Sequence, residues 1–314
     1  MMSESFFAAI RVVTPLMLLM AVGWFSRVRK WIDRPTMKEY DRLIFKVFMP
    51  VLLFKNIYDM DYSKGLAWKE LIFVAVCLLV NFAFSMTFPR LLTKDGRKYS
   101  VLGQSTVRGN YILFGIAVCE ALYGEGRTRM VVMLGVLVIP AINIFSAIIL
   151  EAGRSKQANL LQLFLAIFKN PMIIGAIAGF IVKGLGIVIP APIWSVIRSI
   201  ANSTTTVSFI SLGVGLDMAQ ALSDKRLLLW GVFLRMVVVP GVFMPLSVLA
   251  GFRGESLCAM MVVFAAPAAV ASYPMAVAMG ADGQLAGQIV CVTTVLSVLT
   301  IFLWTFGFHA LGLM

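Results

Sequence analysis

The apolar residues of this chain come in successive blocks of about 20, each long enough to cross roughly 30 Å of hydrocarbon as a helix, with short polar loops between them. A spanning strand would be about half that length and would alternate in polarity, so the blocks read as helices. Composition agrees: 60% of the 314 residues are hydrophobic, 13% are charged, and the mean hydropathy is +0.93. The first block, Phe6 to Phe25, has no basic region before it and ends in Arg27, Arg29 and Lys30, so it reads as a retained span and not as a signal peptide.

In order, the blocks predict ten spans near 5–26, 40–58, 68–89, 100–123, 130–150, 171–188, 192–219, 227–249, 256–279 and 285–312. The formal charge of +12 does not form a nucleic-acid strip, because the basic residues sit mainly in alternate loops. Arg27, Arg29, Lys30, Arg34 and Lys38 follow span one. Arg90, Lys94, Arg97 and Lys98 follow span three, and Arg154, Lys156 and Lys169 follow span five. The opposite loops hold Asp59, Asp61, Glu125 and Glu255, with only Lys64, Arg127 and Arg253 against them. The positive-inside rule therefore makes the basic loops cytoplasmic and both termini external in a cell membrane.

The linker 151–170 divides the chain into halves of five spans, 1–150 and 171–314, and its Leu160, Leu161, Leu163, Phe164 and Ile167 form an apolar stripe suited to the inner membrane surface. TPLMLLMAVGWF (Thr14 to Phe25) aligns with NPMIIGAIAGFI (Asn170 to Ile181), matching Pro15 with Pro171 and Gly23 with Gly179 at an offset of 156. Five spans per half make the second half start from the opposite face, as in an inverted repeat. The same offset carries Gly109, Asn110 and Tyr111 onto Ala265, Ala266 and Pro267, and both places are weak for helix in mid-span. Helices broken at corresponding positions point to a transporter binding site, since unwound backbone at membrane depth is tolerated only where it lines a cavity or is buried in protein.

At this point the chain resembles the auxin efflux carrier family, whose members include plant auxin exporters and bacterial carriers of malate, malonate and similar acids. The likeness rests on FMPVLLF (Phe48 to Phe54), RGNYILFGIAV (Arg108 to Val118) leading to LYGEG (Leu122 to Gly126), KNPMIIGAIAG (Lys169 to Gly179), SLGVGLDM (Ser211 to Met218) and AAPAAVASYPMA (Ala265 to Ala276), in that order and spacing. It implies an all-α polytopic fold of two inverted five-helix repeats. Spans one, two, six and seven would form a scaffold, and spans three to five and eight to ten a mobile transport domain of elevator type. Spans four and nine would cross where they break, placing substrate at Gly109, Asn110 and Tyr111 and at Ala266, Pro267 and Ala268. Plant members have a proline in span four where this chain has Gly109 preceded by Arg108, so auxin itself is not carried over as substrate.

The polar residues fit a carrier of a small organic anion, a mono- or dicarboxylate. Asn110 offers two donors and an acceptor at the depth where a carboxylate must be held without water, and Arg108 offers a fork that matches it. Helices restarting at the breaks would present partial positive charge, with Ser272 and Tyr273 as further donors. Glu120, in span four, and Asp217, near the inner end of span seven, are the carboxyls suited to proton or ion coupling. Arg235, within span eight, is expected to pair with a carboxylate or a helix end. Cys77, Cys119, Cys258 and Cys291 each stand alone in an apolar block, which argues against a disulfide or zinc.

No GxxxxGK[ST] loop is present, so energy would come from gradients. An ion-coupled carrier of the bile acid or cation/proton antiporter type would need paired acids at the crossing, and none is there. With His309 as the single histidine, an intramembrane enzyme is disfavoured and no cofactor is expected. A receptor without transport is the alternative from another class. The expected partners are the organic anion, membrane lipid and a second copy of the chain docked through the scaffold, with no nucleic acid.

Overall fold

The computed structural model describes residues 2–59, 67–124, 127–154, 171–215 and 224–314. Among them the chain is helical, with no strand beyond one isolated bridge. The helices are α1 (Met2–Val28), α2 (34–58), α3 (Trp68–Leu92), α4 (Gly96–Val107), α5 (Tyr111–Tyr123), α6 (Arg129–Arg154), α7 (Pro171–Gly184), α8 (Ala191–Gly215), α9 (Lys225–Leu249), α10 (Gly254–Ala265), α11 (Ser272–Ala278) and α12 (Gly283–Ala310). α3, α6, α9 and α12 are long and apolar enough to cross a membrane. The apolar stripe of the linker 151–170 and Asp217 lie outside the described residues, apart from the linker's first four positions.

Each apolar block becomes a helix, and the two breaks fall where the sequence is weak for helix. α2 starts at Arg34, earlier than the apolar block, because Asp33 accepts a hydrogen bond from the Thr36 N–H (2.9 Å) and Pro35 sits in the first turn. α2 and α9 each contain one widened five-residue turn, at Ile44–Phe48 and Leu234–Val238. Both precede a proline by a short step, Pro50 and Pro240. A proline ring clashes with the carbonyl four residues back, and a wider turn relieves the clash. In α9 that turn contains Arg235, which is fully buried.

The helices form two groups that touch each other. α1 lies along α8 and α2 along α7 and α8, while α3 to α6 pack on one another, α10 on α5 and α9, and α11 on α12; α1 also packs on α12 and α5, and α2 on α11. The α1–α8 contact is backbone against backbone: a Cβ at Gly23 would lie 2.0 Å from the Ile210 carbonyl oxygen, and one at Gly213 the same distance from that of Met20. α10 is buried all round from Leu257 to Ala265. α3 by contrast leaves Ile72, Val76, Leu79 and Val80 more than half exposed, an apolar face suited to lipid.

Candidate functional site

α4 ends at Val107 and α5 restarts at Tyr111; α10 ends at Ala265 and α11 restarts at Ser272. Ala266 adopts φ −60°, ψ 149°, the extended geometry that the following Pro267 imposes. Pro274 falls in the first turn of α11, where a missing N–H leaves no helical carbonyl unpaired. The two gaps cross. Asn110 N–H donates to Pro267 O at 2.8 Å, and Ala269 N–H donates to Arg108 O at 3.0 Å, so Gly109 and Ala268 face each other as an antiparallel pair. Gly109 thus opposes Ala268, three residues beyond the Ala265 that the repeat offset matched to it; the second gap is longer because Pro267 lies within it. Ala268 N–H donates to Thr293 Oγ1 (3.2 Å) on α12, so unwound backbone at the crossing finds its partners inside the protein.

Arg235 closes the crossing from the side of α9. Its Nε donates to Ala266 O (2.7 Å), Nη1 to Thr106 O (3.1 Å) and Nη2 to Val263 O (3.3 Å). Thr106 lies in the last turn of α4, Val263 lies in that of α10, and Ala266 follows α10, so one cation caps the partly negative ends of both half-helices. Of the partners expected for it, a carboxylate or a helix end, the structure supplies two helix ends. Gly109 is required there, because a Cβ would sit 2.0 Å from Arg235 Nη2.

Arg108 turns the other way, 3% exposed, and its guanidinium donates to Asn143 Oδ1 on α6 (2.7 Å), to Met275 Sδ (2.7 Å) and, at 3.5 Å, to Ala271 O. Asn143 is fixed by its own Nδ2 donating to Ile139 O (2.7 Å). Neither Arg108 nor Arg235 has a carboxylate partner among the described residues.

Asn110 is partly exposed at the start of α5, and its side chain does not cap that helix. The Tyr111 ring is buried with its hydroxyl donating to Val131 O (2.6 Å), which ties α5 to α6 and turns that group away from the gap. Ala266, Pro267 and Ala268 are buried backbone of the crossing. Ser272 is buried with no hydrogen-bond partner for its hydroxyl among the described residues. α11 spans only seven residues, too few for the substantial N-terminal dipole the sequence suggested there; α5, with 13, retains one. Glu120 is half-buried further along α5, away from the gap.

Several polar groups around the crossing were missed in the sequence reading. Asn143 holds Arg108, Thr293 holds Ala268, and Asn81 on α3 donates to Thr106 O at 3.4 Å. Gln104 Nε2 and Asn81 Oδ1 are buried without a partner among the described residues. The signal available was an amide or hydroxyl inside an apolar block, but many such groups satisfy their own helix, as Ser146 and Ser247 do here. The cysteines also proved less isolated than they looked: Cys119 and Cys258 bring their sulfurs to 3.0 Å across α5 and α10 as free thiols.

This crossing of two interrupted helices inside an apolar bundle is joined by a match to a known family along nearly the whole length. The profile of the membrane transport protein family matches residues 8–162 and 155–305. The chain belongs to that family, the auxin efflux carriers. Relatives of this carrier include the uncharacterized transporter YfdV of Escherichia coli K12, of Escherichia coli O157:H7 and of Shigella flexneri. Each is 23% identical over 267 residues, which cover 81% of this chain and 83% of the relative. The carrier is thus an integral membrane protein of a transporter family with bacterial relatives.

Proposed function

We propose that the protein is a secondary carrier of a small organic anion, a mono- or dicarboxylate, held where the two broken helices cross. The observation that carries this reading is Arg108: a buried guanidinium beside the gap, with two neutral side chains and a carbonyl for partners and no carboxylate among the described residues. A buried cation of this kind is stabilised most by a ligand that brings the missing negative charge. Asn110, partly exposed at the N-terminus of α5, adds an amide and a partly positive helix end. A cation exchanger is disfavoured because no acid is present at either gap.

The reading extends to ten membrane crossings in two inverted repeats, with both termini outside. Gly23 and Gly179, matched in sequence, support it by doing the same job in both halves. Gly23 lets α1 approach the α8 backbone, and Gly179 lets α7 approach α2, where a Cβ would be 3.0 Å from Phe54 O. α1, α2, α7 and α8 would then form the scaffold along which the remaining helices carry the substrate as an elevator, and two copies would pair through it.

Asn110→Ala tests the site. An unpaired carboxylate oxygen at this depth costs about 1–3 kcal/mol, so affinity for a dicarboxylate should fall roughly 5- to 150-fold with the melting temperature unchanged. Uptake of labelled succinate and malonate into proteoliposomes measures it. Wild-type affinity in the variant would move the site elsewhere.

A further inference from the structure

The second polar feature of the molecule lies away from the crossing, on the seam between the two groups of helices. A cavity of about 250 Å³ opens there between Met37 and Asp41 of α2, Gly215 of α8, Arg97 of α4, Tyr273 of α11 and Gln284 of α12. Its volume lies just below that of pockets that hold drug-sized ligands, which suits a smaller acid. Asp41 is 1% exposed and has no ion-pair partner among the described residues; its carboxylate accepts a hydrogen bond from Ser211 Oγ on α8. On the facing wall Gln284 Nε2 is buried without a partner among the described residues. The Arg97 Nε donates to Gly280 O (3.1 Å), which holds that guanidinium at the rim.

Among the described residues, the groups around Asp41 supply little compensating charge. On its own helix Glu39 and Arg42 pair with each other on the exposed side. α8 offers the Ser211 hydroxyl, and α11 offers Tyr273, whose hydroxyl lies so close to Gly215 that a Cβ there would meet it at 1.9 Å. On α12 Asp282 is occupied as the helix cap, accepting from Leu285 N–H at 3.0 Å. Arg27 of α1 donates to Val214 O (3.4 Å), and Arg97 is the cation that lines the cavity with Asp41. Among the described residues, an anion entering this space meets one arginine and one carboxyl group. Two negative charges in a space shielded from water oppose each other, and the opposition vanishes when the carboxyl is protonated.

We propose that this cavity is the loading site for the acid on the side of the basic loops, and that the acid enters together with one proton taken from water onto the Asp41 carboxyl. The proposal rests on the anion-carrier reading above and assigns its coupling group, in place of Glu120 and Asp217. The site touches both groups of helices, so a sliding movement of one past the other would open or close it, and the proton would travel with the acid, lowering the negative charge carried by one.

The test uses purified full-length protein with succinate and malonate as probes between pH 6.5 and 8.0, where both acids are ionised. One linked proton makes affinity rise by up to tenfold per unit fall in pH. Wild type should show that slope in a binding titration, and Asp41→Asn should bind with no slope. In proteoliposomes the variant should exchange labelled for unlabelled acid yet no longer accumulate it when a pH gradient is imposed. Ser211→Ala, which removes a donor that favours the charged carboxylate, should move the binding profile to higher pH with its slope kept, so a folding failure of one variant does not decide the matter. An Asp41→Asn protein with the wild-type slope, or an Asp217→Asn protein that loses it instead, overturns the assignment of Asp41. Absence of any binding by wild type at every pH would instead defeat the anion-carrier reading and this inference with it.

Discussion

Arg235→Met is expected to be the most damaging single substitution in the membrane core. It leaves the carbonyls of Thr106, Val263 and Ala266 without the cation that caps both half-helices, and methionine fills the volume without donating. Thr106 O keeps the Asn81 amide, but the carbonyls of Val263 and Ala266 lose this donor at about 1–3 kcal/mol each, so the loss is on the order of 2–5 kcal/mol. Yield after membrane extraction and thermal unfolding in detergent should both fall sharply. The same contact predicts a coupling. Gly109→Ala drives a methyl group into Arg235 Nη2, yet with methionine at 235 the obstacle is gone. The double variant should be less damaged than the sum of the singles by about 1–3 kcal/mol. Additive losses would mean that Gly109 is needed for its backbone alone.

The second large effect concerns Arg108. Arg108→Gln keeps a donor for Asn143 Oδ1 but removes the buried charge, so the second carboxylate of a dicarboxylate loses its counterpart. A charge-assisted hydrogen bond contributes about 1.5–3 kcal/mol, which corresponds to roughly 10- to 150-fold in affinity. Dicarboxylates should lose that much and monocarboxylates distinctly less. Arg108→Lys should restore only part, since it returns the charge without the fork. Equal losses for both classes of acid would make Arg108 a packing residue that steadies α6 against the crossing.

Much of the helical architecture was legible because each element is long, apolar and bounded by punctuation that acts locally. Asp33 and Asp95 cap the helices that follow them, and the breaks follow from Gly109 and Pro267. The start of α2 was placed late because RPTMKE is helical yet polar, and an apolar block does not include it. The chemistry inside the crossing was much less legible. Arg235 reaches Thr106 across 129 residues, Ser211 reaches Asp41 across 170, and Cys119 meets Cys258 across 139; no periodicity encodes such pairs. Asp41 was passed over for a further reason. It stands at the edge of its apolar block beside Glu39 and Arg42, where a carboxylate looks interfacial, and only the folding of α8 and α11 against it takes it out of water.

Uptake of a matched acid and amide by wild-type protein tests the central claim most directly. Labelled succinate and succinamide have nearly the same size and shape and differ in charge, so a site built around Arg108 and the N-terminus of α5 must tell them apart. The account predicts saturable uptake of succinate into proteoliposomes, uninhibited by succinamide in large excess. Uptake of both at similar rates, or inhibition of succinate uptake by equal amounts of the amide, would contradict it.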